Sequence, residues 1–502
     1  MYAAIVQQSL SICKINHMNN QKNTVAQGGL SVTLARMLGM ASSFVLFIFL
    51  ARHSSADAGL FRTVVTYIVM SEFLGILGLH RWLSVEIAAF NAKRWSIFYA
   101  VLIFSTAVCC ILSLIYLGIS FSGIYSPALS SALQLGALAV IPSGIYACVQ
   151  AALTGMGYSH KMGILNMSES LGRALVAVVL LYFGFSVFTL IIVFVVSRWM
   201  IALIGLYLLS THFVHKDWRV DAEIMYEIMR QAPRFATIML AFLVIKNAGM
   251  VLLPALVHEA EVASYAVAYQ LYDLALLIPS VLALTSNNLF SQQAAKSKSA
   301  LRWVAMQLSA ITSTILFPFL AMGILFSANI IHFLFGYRYE DSSLVLKILL
   351  IAVAISTVDQ VLSQVMVSSK HYNDDKKSVI TGALVVVVLI FALTPTFKAA
   401  GTAIALAISS LVTVIVRFYL LRSIFRARLL IASIKKPSVA AAFVFCVMWL
   451  VLHEFSLKIE ISGYTWMILV PLGICFYGVV LMQLKGLNAG KLNRMKMFLF
   501  SR

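Results

Sequence analysis

Long apolar segments constrain this chain more than any other feature of its sequence. Fourteen stretches of mostly apolar residues recur along 502 residues, separated by short polar connections. A helix of about 20 apolar residues spans the hydrocarbon core of a bilayer. Within lipid, only helices and closed barrels satisfy their own backbone polar groups, and apolar runs of this length form helices. The sequence therefore predicts an all-α polytopic membrane protein with about 14 transmembrane helices.

The predicted spans cover most of the chain and leave no connection large enough for a separate soluble domain. They are 31–50, 63–79, 97–117, 131–155, 164–183, 187–209, 235–256, 264–288, 304–326, 344–368, 379–396, 400–420, 438–453 and 464–484. Composition agrees, because 61% of the residues are hydrophobic and 11% are charged. Soluble domains contain roughly 45–50% and about 25%. Lipid is therefore the expected solvent.

Lys and Arg lie mainly on one side of the predicted membrane topology. With the N-terminus inside, 26 of the 37 fall in inner segments, five fall in outer segments and six lie within spans. Cytoplasmic loops collect Lys and Arg. We therefore expect a multi-pass protein of the bacterial inner membrane with both termini in the cytoplasm. The net charge of +19 follows from this topology, and the scattered basic residues do not indicate a nucleic-acid partner.

Weak internal repeats indicate two halves. The segment 57–61 resembles 261–265, and Tyr158 and Tyr372 take equivalent places before the fifth and eleventh spans. Many transporters are built from such repeats. The predicted organisation is a cytoplasmic N-terminal segment (1–29), an N-lobe of spans 1–6 (30–209), an amphipathic cytoplasmic linker (210–234), a C-lobe of spans 7–12 (235–421), and spans 13–14 with a basic cytoplasmic tail (422–502).

Apolar residues recur at helical spacing in the linker. They are Val220, Ile224, Met225 and Ile228, and charged residues occupy the opposite face. This pattern is typical of an amphipathic helix lying at the membrane interface. A solvated helix packed on neighbouring loops has the same pattern and is the alternative interpretation.

Basic residues within spans are the first candidates for function, because such charges cost several kcal/mol unless they meet a partner or water. Arg198 and Lys246 lie near the middle of their spans, in different halves, and we expect them to face a shared cavity. Arg36 lies in the first span, and Arg173 follows Glu169 by four residues, so that pair also suits mutual neutralisation. Arg binds phosphate oxygens in bidentate fashion, and Lys acts as a point charge. Packed ion pairs are the alternative interpretation for each.

Acidic residues within spans have two candidate roles. Glu72, Asp273 and Asp359 lie deep in spans without a basic partner adjacent in sequence. They either couple transport to a proton or Na⁺, or balance the basic residues when no substrate is bound. By contrast, Lys347 and Arg417 lie near span ends, from which long side chains reach the interface.

Three short strings resemble a known family. They are ARMLG at 35–39, LAR at 50–52 with AGLF at 58–61, and LGILGL at 74–79. Together with the turn at Gly157-Tyr158, they resemble the polysaccharide flippases of the MOP superfamily, the Wzx-like O-antigen translocases. The resemblance covers roughly residues 30–425.

This resemblance implies both an architecture and a substrate. It implies two six-helix lobes around a central cavity, with two extra C-terminal helices, that open alternately to each side of the membrane. The implied substrate is an undecaprenyl-pyrophosphate-linked oligosaccharide, flipped to the outer leaflet for surface polysaccharide and lipopolysaccharide assembly. Membrane lipids, the polysaccharide polymerase and the chain-length machinery are the expected partners. Carried onto this chain, the resemblance assigns the pyrophosphate to Arg36, Arg173, Arg198 and Lys246.

Three alternatives stay open. Two are an ion-coupled multidrug exporter of the same superfamily and a flippase for peptidoglycan lipid precursors. The third, a membrane polymerase or glycosyltransferase, is opposed by the short outer loops and the lack of an Asp-x-Asp sequence. No P-loop, HExxH or GxSxG sequence occurs either. The sequence therefore predicts a transporter rather than an enzyme, without metal or cofactor apart from a coupling proton or Na⁺.

The charge asymmetry yields a topology prediction. Reporter tags at Arg502 and within 210–234 should be accessible from the cytoplasm, and a tag near Tyr339 should be accessible from outside. Accessibility is measured with membrane-impermeant labels on intact and opened cells. An external C-terminus would contradict both the orientation and the even number of spans.

Overall fold

Every regular element in the described part of the chain is helical. The computed structural model describes residues 37–89, 94–211, 222–422, 427–456 and 465–484. In chain order the helices are α1 (Met37–His53), α2 (Ser55–Gly75), α3 (His80–Ala89), α4 (Arg94–Phe121), α5 (Pro127–Ala137), α6 (Val140–Gly155), α7 (Ser159–Tyr182), α8 (Val187–Ser210), α9 (Ala222–Leu256), α10 (Glu259–Lys296), α11 (Lys298–Leu325), α12 (Ser327–Phe335), α13 (Ser342–Ser368), α14 (Tyr372–Leu420), α15 (Ala427–Ser456) and α16 (Trp466–Gln483). A 3₁₀ turn at Tyr337–Tyr339 joins α12 to α13.

The number of membrane-spanning segments agrees with the prediction. Eleven helices are long and apolar enough to cross a bilayer, and α5 and α6, bent by 44° where they meet, give a twelfth span when the pair is counted as one. The shorter apolar helix α1 begins where the described residues begin, and α14 contains two spans rather than one. The predicted all-α membrane fold with about 14 spans is therefore confirmed.

The helix α14 is a hairpin of two arms. Its 49 residues would extend about 74 Å as one straight helix, more than twice the roughly 30 Å of a hydrocarbon core. Lys398 interrupts it with φ 53° and ψ −132°. Across the break, the Thr394 and Thr402 hydroxyls lie 3.0 Å apart, and Ser409 donates to the Gly382 carbonyl at 2.8 Å. The arms are therefore antiparallel neighbours, as the predicted eleventh and twelfth spans require.

Apolar side chains on the spans face outward in large numbers. Leu114 on α4, Leu175 on α7 and Leu203 on α8 are each more than half exposed. A soluble protein would bury such residues, because exposed apolar patches of this extent cost free energy in water. The chain is a multi-pass membrane protein, and lipid covers these surfaces.

The chain divides into two compact units. The first contains residues 67–236 together with the described residues up to 49, and the second contains 50–66 and the described residues from 237 onward. The helix α2 therefore begins in the second unit and ends in the first. The lobes over 30–209 and 235–421 remain predictions.

The linker pattern belongs to a longer helix in the structure. Residues 212–221, including Val220, lie outside the described residues, and α9 runs without interruption from Ala222 into the seventh span. Ile228 and Ala232 are buried in the core of the first unit, and Ile224 and Met225 pack against the same core. The apolar face of this segment is therefore covered by protein.

Small residues allow three helices of the first unit to approach closely. A Cβ placed on Gly144 of α6 would lie 2.2 Å from the Cys109 sulfur of α4, and one on Gly75 of α2 would lie 2.5 Å from the same atom. Membrane helices associate largely through this kind of close packing, because burial in a neighbouring helix removes no apolar surface from water.

In the second unit, polar contacts tie the end of α1 to α12. The Arg52 guanidinium donates to the Leu334 carbonyl at 2.8 Å and also to the Phe333 carbonyl. The Tyr339 hydroxyl donates to the Ala51 carbonyl at 2.9 Å. Burial raises the pKa of Tyr339 to about 12, so its hydroxyl remains a donor at physiological pH. These contacts satisfy carbonyls that the ends of the two helices leave unpaired.

Candidate functional site

Among the described residues, charged side chains from different helices meet in three clusters of three or more residues. One lies in the first unit and two lie in the second. Each cluster takes the name of one of its members.

The Arg198 cluster, in the first unit, comprises Glu72, Glu169, Arg173 and Arg198. An Arg198 nitrogen (Nη1) lies 3.3 Å from the Glu72 carboxylate, which joins α8 to α2. Arg173 pairs with Glu169 one turn earlier on α7. Ser197 of α8 donates to Glu169 at 2.9 Å, so both pairs share the α8 surface. Two positive charges face two negative charges, and the cluster is balanced among the residues described.

An aromatic ring supports both arginines of this cluster. The guanidinium carbons of Arg173 and Arg198 lie 4.3 Å and 5.2 Å from the centre of the Phe194 ring. Such contacts add electrostatic attraction in a desolvated setting. Since Glu169 and Arg173 have side chains only 9% exposed, their cluster is mainly enclosed by protein.

The Asp273 cluster, in the second unit, comprises Arg62, Lys246 and Asp273, on α2, α9 and α10. Arg62 pairs with one carboxylate oxygen (Oδ2) of Asp273. The Lys246 ammonium nitrogen lies 3.6 Å from the other oxygen (Oδ1). Two positive charges therefore share one negative charge, and the Lys246 side chain is 43% exposed. This cluster has a cationic excess.

The Arg417 cluster, also in the second unit, comprises Asp359, Asp375 and Arg417. One Arg417 nitrogen (Nη1) lies 2.6 Å from Asp359 of α13, and the other (Nη2) lies 2.9 Å from Asp375 in the first turn of α14. Arg417 also donates to the Asp359 backbone carbonyl at 2.9 Å. Two carboxylates share one guanidinium, so this cluster has an anionic excess.

The local sequence explains how these groups reach one another. On α7, the spacing of four residues places Glu169 and Arg173 on one face. Asp375 lies in the first turn of an α14 arm and Arg417 in the last turn of the other, so the hairpin brings them to the same end of the helix pair. A carboxylate in a first turn is also favoured by the helix dipole.

The predicted site residues fall into all three clusters. Arg173 and Arg198 are paired within the first unit, Lys246 belongs to the Asp273 cluster, and Arg36 lies outside the described residues. Each predicted coupling acid has a basic partner on a different helix: Glu72 pairs with Arg198, Asp273 with Arg62 and Lys246, and Asp359 with Arg417. Whether these groups bind substrate or ions stays a prediction.

Three members of these clusters were missed or misassigned from the sequence. The expectation that Arg417 reaches the interface is wrong, because its side chain is 4% exposed and pairs inside the protein. Asp375 was not considered a site residue. Arg62 is one of the five basic residues in the predicted outer segments, just before the predicted span 63–79, whereas α2 begins eight residues before that span and includes Arg62.

A capping signal reveals the correct start of α2. Ser54 precedes the helix, and its hydroxyl accepts a hydrogen bond from the Asp57 backbone nitrogen at 3.3 Å. Ser followed three residues later by an acidic residue is a typical helix start. Reading that signal in the sequence would have placed Arg62 within a helix.

We expect the Arg198 cluster to stabilise the fold. Arg198→Gln leaves the Glu72 carboxylate without this partner in a desolvated setting, which typically costs about 3–5 kcal/mol. Thermal unfolding of the purified protein in detergent should show a lowered midpoint, and Glu72→Gln in addition should restore most of it. As a matched control, Arg230→Gln disrupts the exposed pair with Glu227 and should cost less than about 1 kcal/mol. An unchanged midpoint in Arg198→Gln would contradict a structural role.

Comparison with known proteins gives one family match. A family model described as "Polysaccharide biosynthesis protein" matches residues 49–344, which is more than half of the chain. No curated protein sequence matches the chain.

Three solved structures with a similar fold are described as a flippase or as transporters. The lipid II flippase MurJ in an inward closed conformation is 11% identical, with a TM-score of 0.75 over 91% of this chain and 98% of its own. An inward-facing multidrug resistance MATE family transporter of the MOP superfamily is 18% identical, with a TM-score of 0.62 over 82% and 99%. A MOP superfamily transporter from Pyrococcus furiosus is 16% identical, with a TM-score of 0.58 over 80% and 95%. These similarities show that the chain shares a fold with these flippase and transporter structures.

Proposed function

Because the chain belongs to the family of polysaccharide biosynthesis proteins, we propose that it flips undecaprenyl-pyrophosphate-linked oligosaccharides across the bacterial inner membrane. In this proposal it works by alternating access, with both termini in the cytoplasm, and is not an enzyme. The Wzx-like translocases of O-antigen units are the group it resembles. Its product then passes to the polysaccharide polymerase and the chain-length machinery on the way to lipopolysaccharide.

The cationic excess of the Asp273 cluster carries this proposal. A lipid-linked diphosphate is an anion that has to cross a medium in which isolated charges are expensive. Arg62 and Lys246 place two positive charges against one carboxylate, and Lys246 is partly exposed. A helix bundle that keeps unbalanced positive charge within its spans is suited to an anionic substrate.

We assign the substrate's anionic head to Arg36, Arg173, Arg198 and Lys246. Among these, Lys246 has the strongest support, because it lies in the cluster with excess positive charge. Arg173 and Arg198 are engaged with Glu169 and Glu72, and a bound anion has to compete with those carboxylates. No nucleic-acid partner and no metal or cofactor enters this proposal.

A second candidate function is the flipping of a peptidoglycan lipid precursor. The similarity to the lipid II flippase extends over 91% of this chain, and its TM-score of 0.75 exceeds the 0.62 and 0.58 of the other two structures. An ion-coupled multidrug exporter is the third candidate, because the MATE transporter shares the fold. These candidates differ in head group, and transport of defined substrates separates them.

We expect the purified protein to flip a fluorescent undecaprenyl-pyrophosphate oligosaccharide in proteoliposomes. A membrane-impermeant quencher should then reach fluorescent substrate from both leaflets, whereas in protein-free vesicles the substrate in the inner leaflet stays protected. Lys246→Gln should lower the initial rate roughly tenfold, the loss expected for about 1.4 kcal/mol of transition-state stabilisation.

The matched control is Lys347→Gln, which removes an exposed lysine of α13 and should leave the rate unchanged. Parallel vesicles contain lipid II or a cationic dye. Transport of lipid II alone would favour the second candidate, and transport of the dye alone would favour the exporter. Either result would contradict the proposed substrate.

We further propose that Glu72, Asp273 or Asp359 couples flipping to a proton or Na⁺. The anionic excess of the Arg417 cluster favours Asp359, because two carboxylates share one guanidinium and a cation can neutralise the remaining charge. A bound cation would then respond to the gradient across the membrane.

Asp359→Asn should therefore abolish the acceleration of flipping by an imposed proton or Na⁺ gradient. The control is Asp374→Asn on α14, since Asp374 pairs with the exposed Lys377 and lies next to the cluster in sequence. This control should keep the response. If Asp359→Asn, Asp273→Asn and Glu72→Gln all respond to both gradients like the unmodified protein, these acids are counter-charges and the coupling proposal fails.

A further inference from the structure

One carboxylate in the Asp273 cluster holds two cations at once. Arg62 contacts one oxygen of Asp273, and the Lys246 nitrogen lies 3.6 Å from the other. The carboxylate thus bridges α2 and α9 from its position on α10. A diphosphate can make the same bridge, with oxygens for each cation and with more negative charge.

Tyr269 contacts the Arg62 cation and the backbone of Lys246. Its ring centre lies 5.4 Å from the Arg62 guanidinium carbon, and its hydroxyl donates to the Lys246 backbone carbonyl at 2.6 Å. Tyr265 stacks on Tyr269 with ring centres 5.5 Å apart, and both rings are 1% exposed. Gly249 leaves room for Tyr265, since a Cβ there would lie 2.4 Å from its hydroxyl oxygen. Tightly packed tyrosine rings therefore support the Arg62 guanidinium and the Lys246 backbone.

Asp273 does not use the full bonding capacity of its partners. The Arg62 Nε is buried and has no hydrogen-bond partner among the described residues. The Lys246 ammonium has three protons and is 43% exposed. Donors therefore remain for an anion with more acceptor oxygens than one carboxylate.

We propose that Arg62 and Lys246 form a clamp for the diphosphate of the substrate, and that Asp273 occupies this clamp when the substrate is absent. The inference rests on the proposed flippase function and adds Arg62 to the substrate-binding residues. Asp273 is then a built-in competitor, because the same cations bind either its carboxylate or the phosphate oxygens. A diphosphate linking lipid and sugar has one negative charge on each phosphate, which matches the two cations.

The other two clusters lack this combination. In the Arg198 cluster each arginine has its own carboxylate among the described residues, so an anion there has to displace a carboxylate from each arginine that it binds. In the Arg417 cluster the excess charge is negative, which repels an anion. Of the three clusters, the Asp273 cluster alone combines an excess cation with partial exposure.

The test measures binding of farnesyl diphosphate and of inorganic pyrophosphate to the purified full chain in lipid nanodiscs. Asp273→Asn removes the competitor, and both probes should bind roughly tenfold more tightly. Arg62→Gln and Lys246→Gln should each weaken binding roughly tenfold. The matched control is Glu261→Gln, which neutralises another acid of α10 that pairs with Lys398, and it should leave both affinities unchanged.

Lysine labelling of the unmodified protein tests the clamp even if a variant does not fold. Acetic anhydride labels exposed lysines, and mass spectrometry reports the labelled fraction of each. Either probe should protect Lys246 and leave Lys347 as reactive as before.

Unchanged or weaker probe binding in folded Asp273→Asn, or equal labelling of Lys246 with and without both probes, would overturn the clamp. If the chain nevertheless flips the lipid-linked oligosaccharide, the proposed function survives and the clamp alone fails. If pyrophosphate protects Lys246 while no lipid-linked oligosaccharide is flipped, the clamp stands and the flippase proposal fails.

Discussion

The cost of charge in lipid is the constraint on which this structure depends. Within the spans, Arg198, Asp273 and Arg417 each meet an opposite charge on a different helix. Such pairs fix which helices are neighbours, since a displaced helix would strand a charge where no water compensates for it. Close contacts such as Gly144 against Cys109 then complete the packing by dispersion. The ionic contacts and the small residues thus determine one arrangement together.

The same constraint makes charge balance informative about chemistry. A balanced cluster is satisfied without a ligand, whereas an unbalanced cluster leaves part of its desolvation cost uncompensated. The two unbalanced clusters have opposite signs, and both lie in the second unit. The proposed flipping of an anion coupled to a cation would use sites of both signs.

Sequence alone predicts the fold well, because a membrane span is a local property of about 20 residues. The pairings are not local. Glu72 and Arg198 are 126 positions apart, and no sequence pattern indicates that they meet. Arg417 was misjudged because distance from a span end says how near the interface is, and not which carboxylates lie nearby. Arg62 was placed outside the second span because the apolar run begins after the true start of α2. The Ser54 cap marks that start.

The break at Lys398 limits where a sequence can be inserted into α14. One non-helical residue joins the two arms of α14, and hydroxyl groups meet across it within four residues on either side. An epitope, protease site or fluorescent protein inserted between Thr394 and Thr402 would separate these residues and break the hydrogen bond between their hydroxyls. This hairpin is therefore a poor site for inserting an extra sequence, although its tip is exposed.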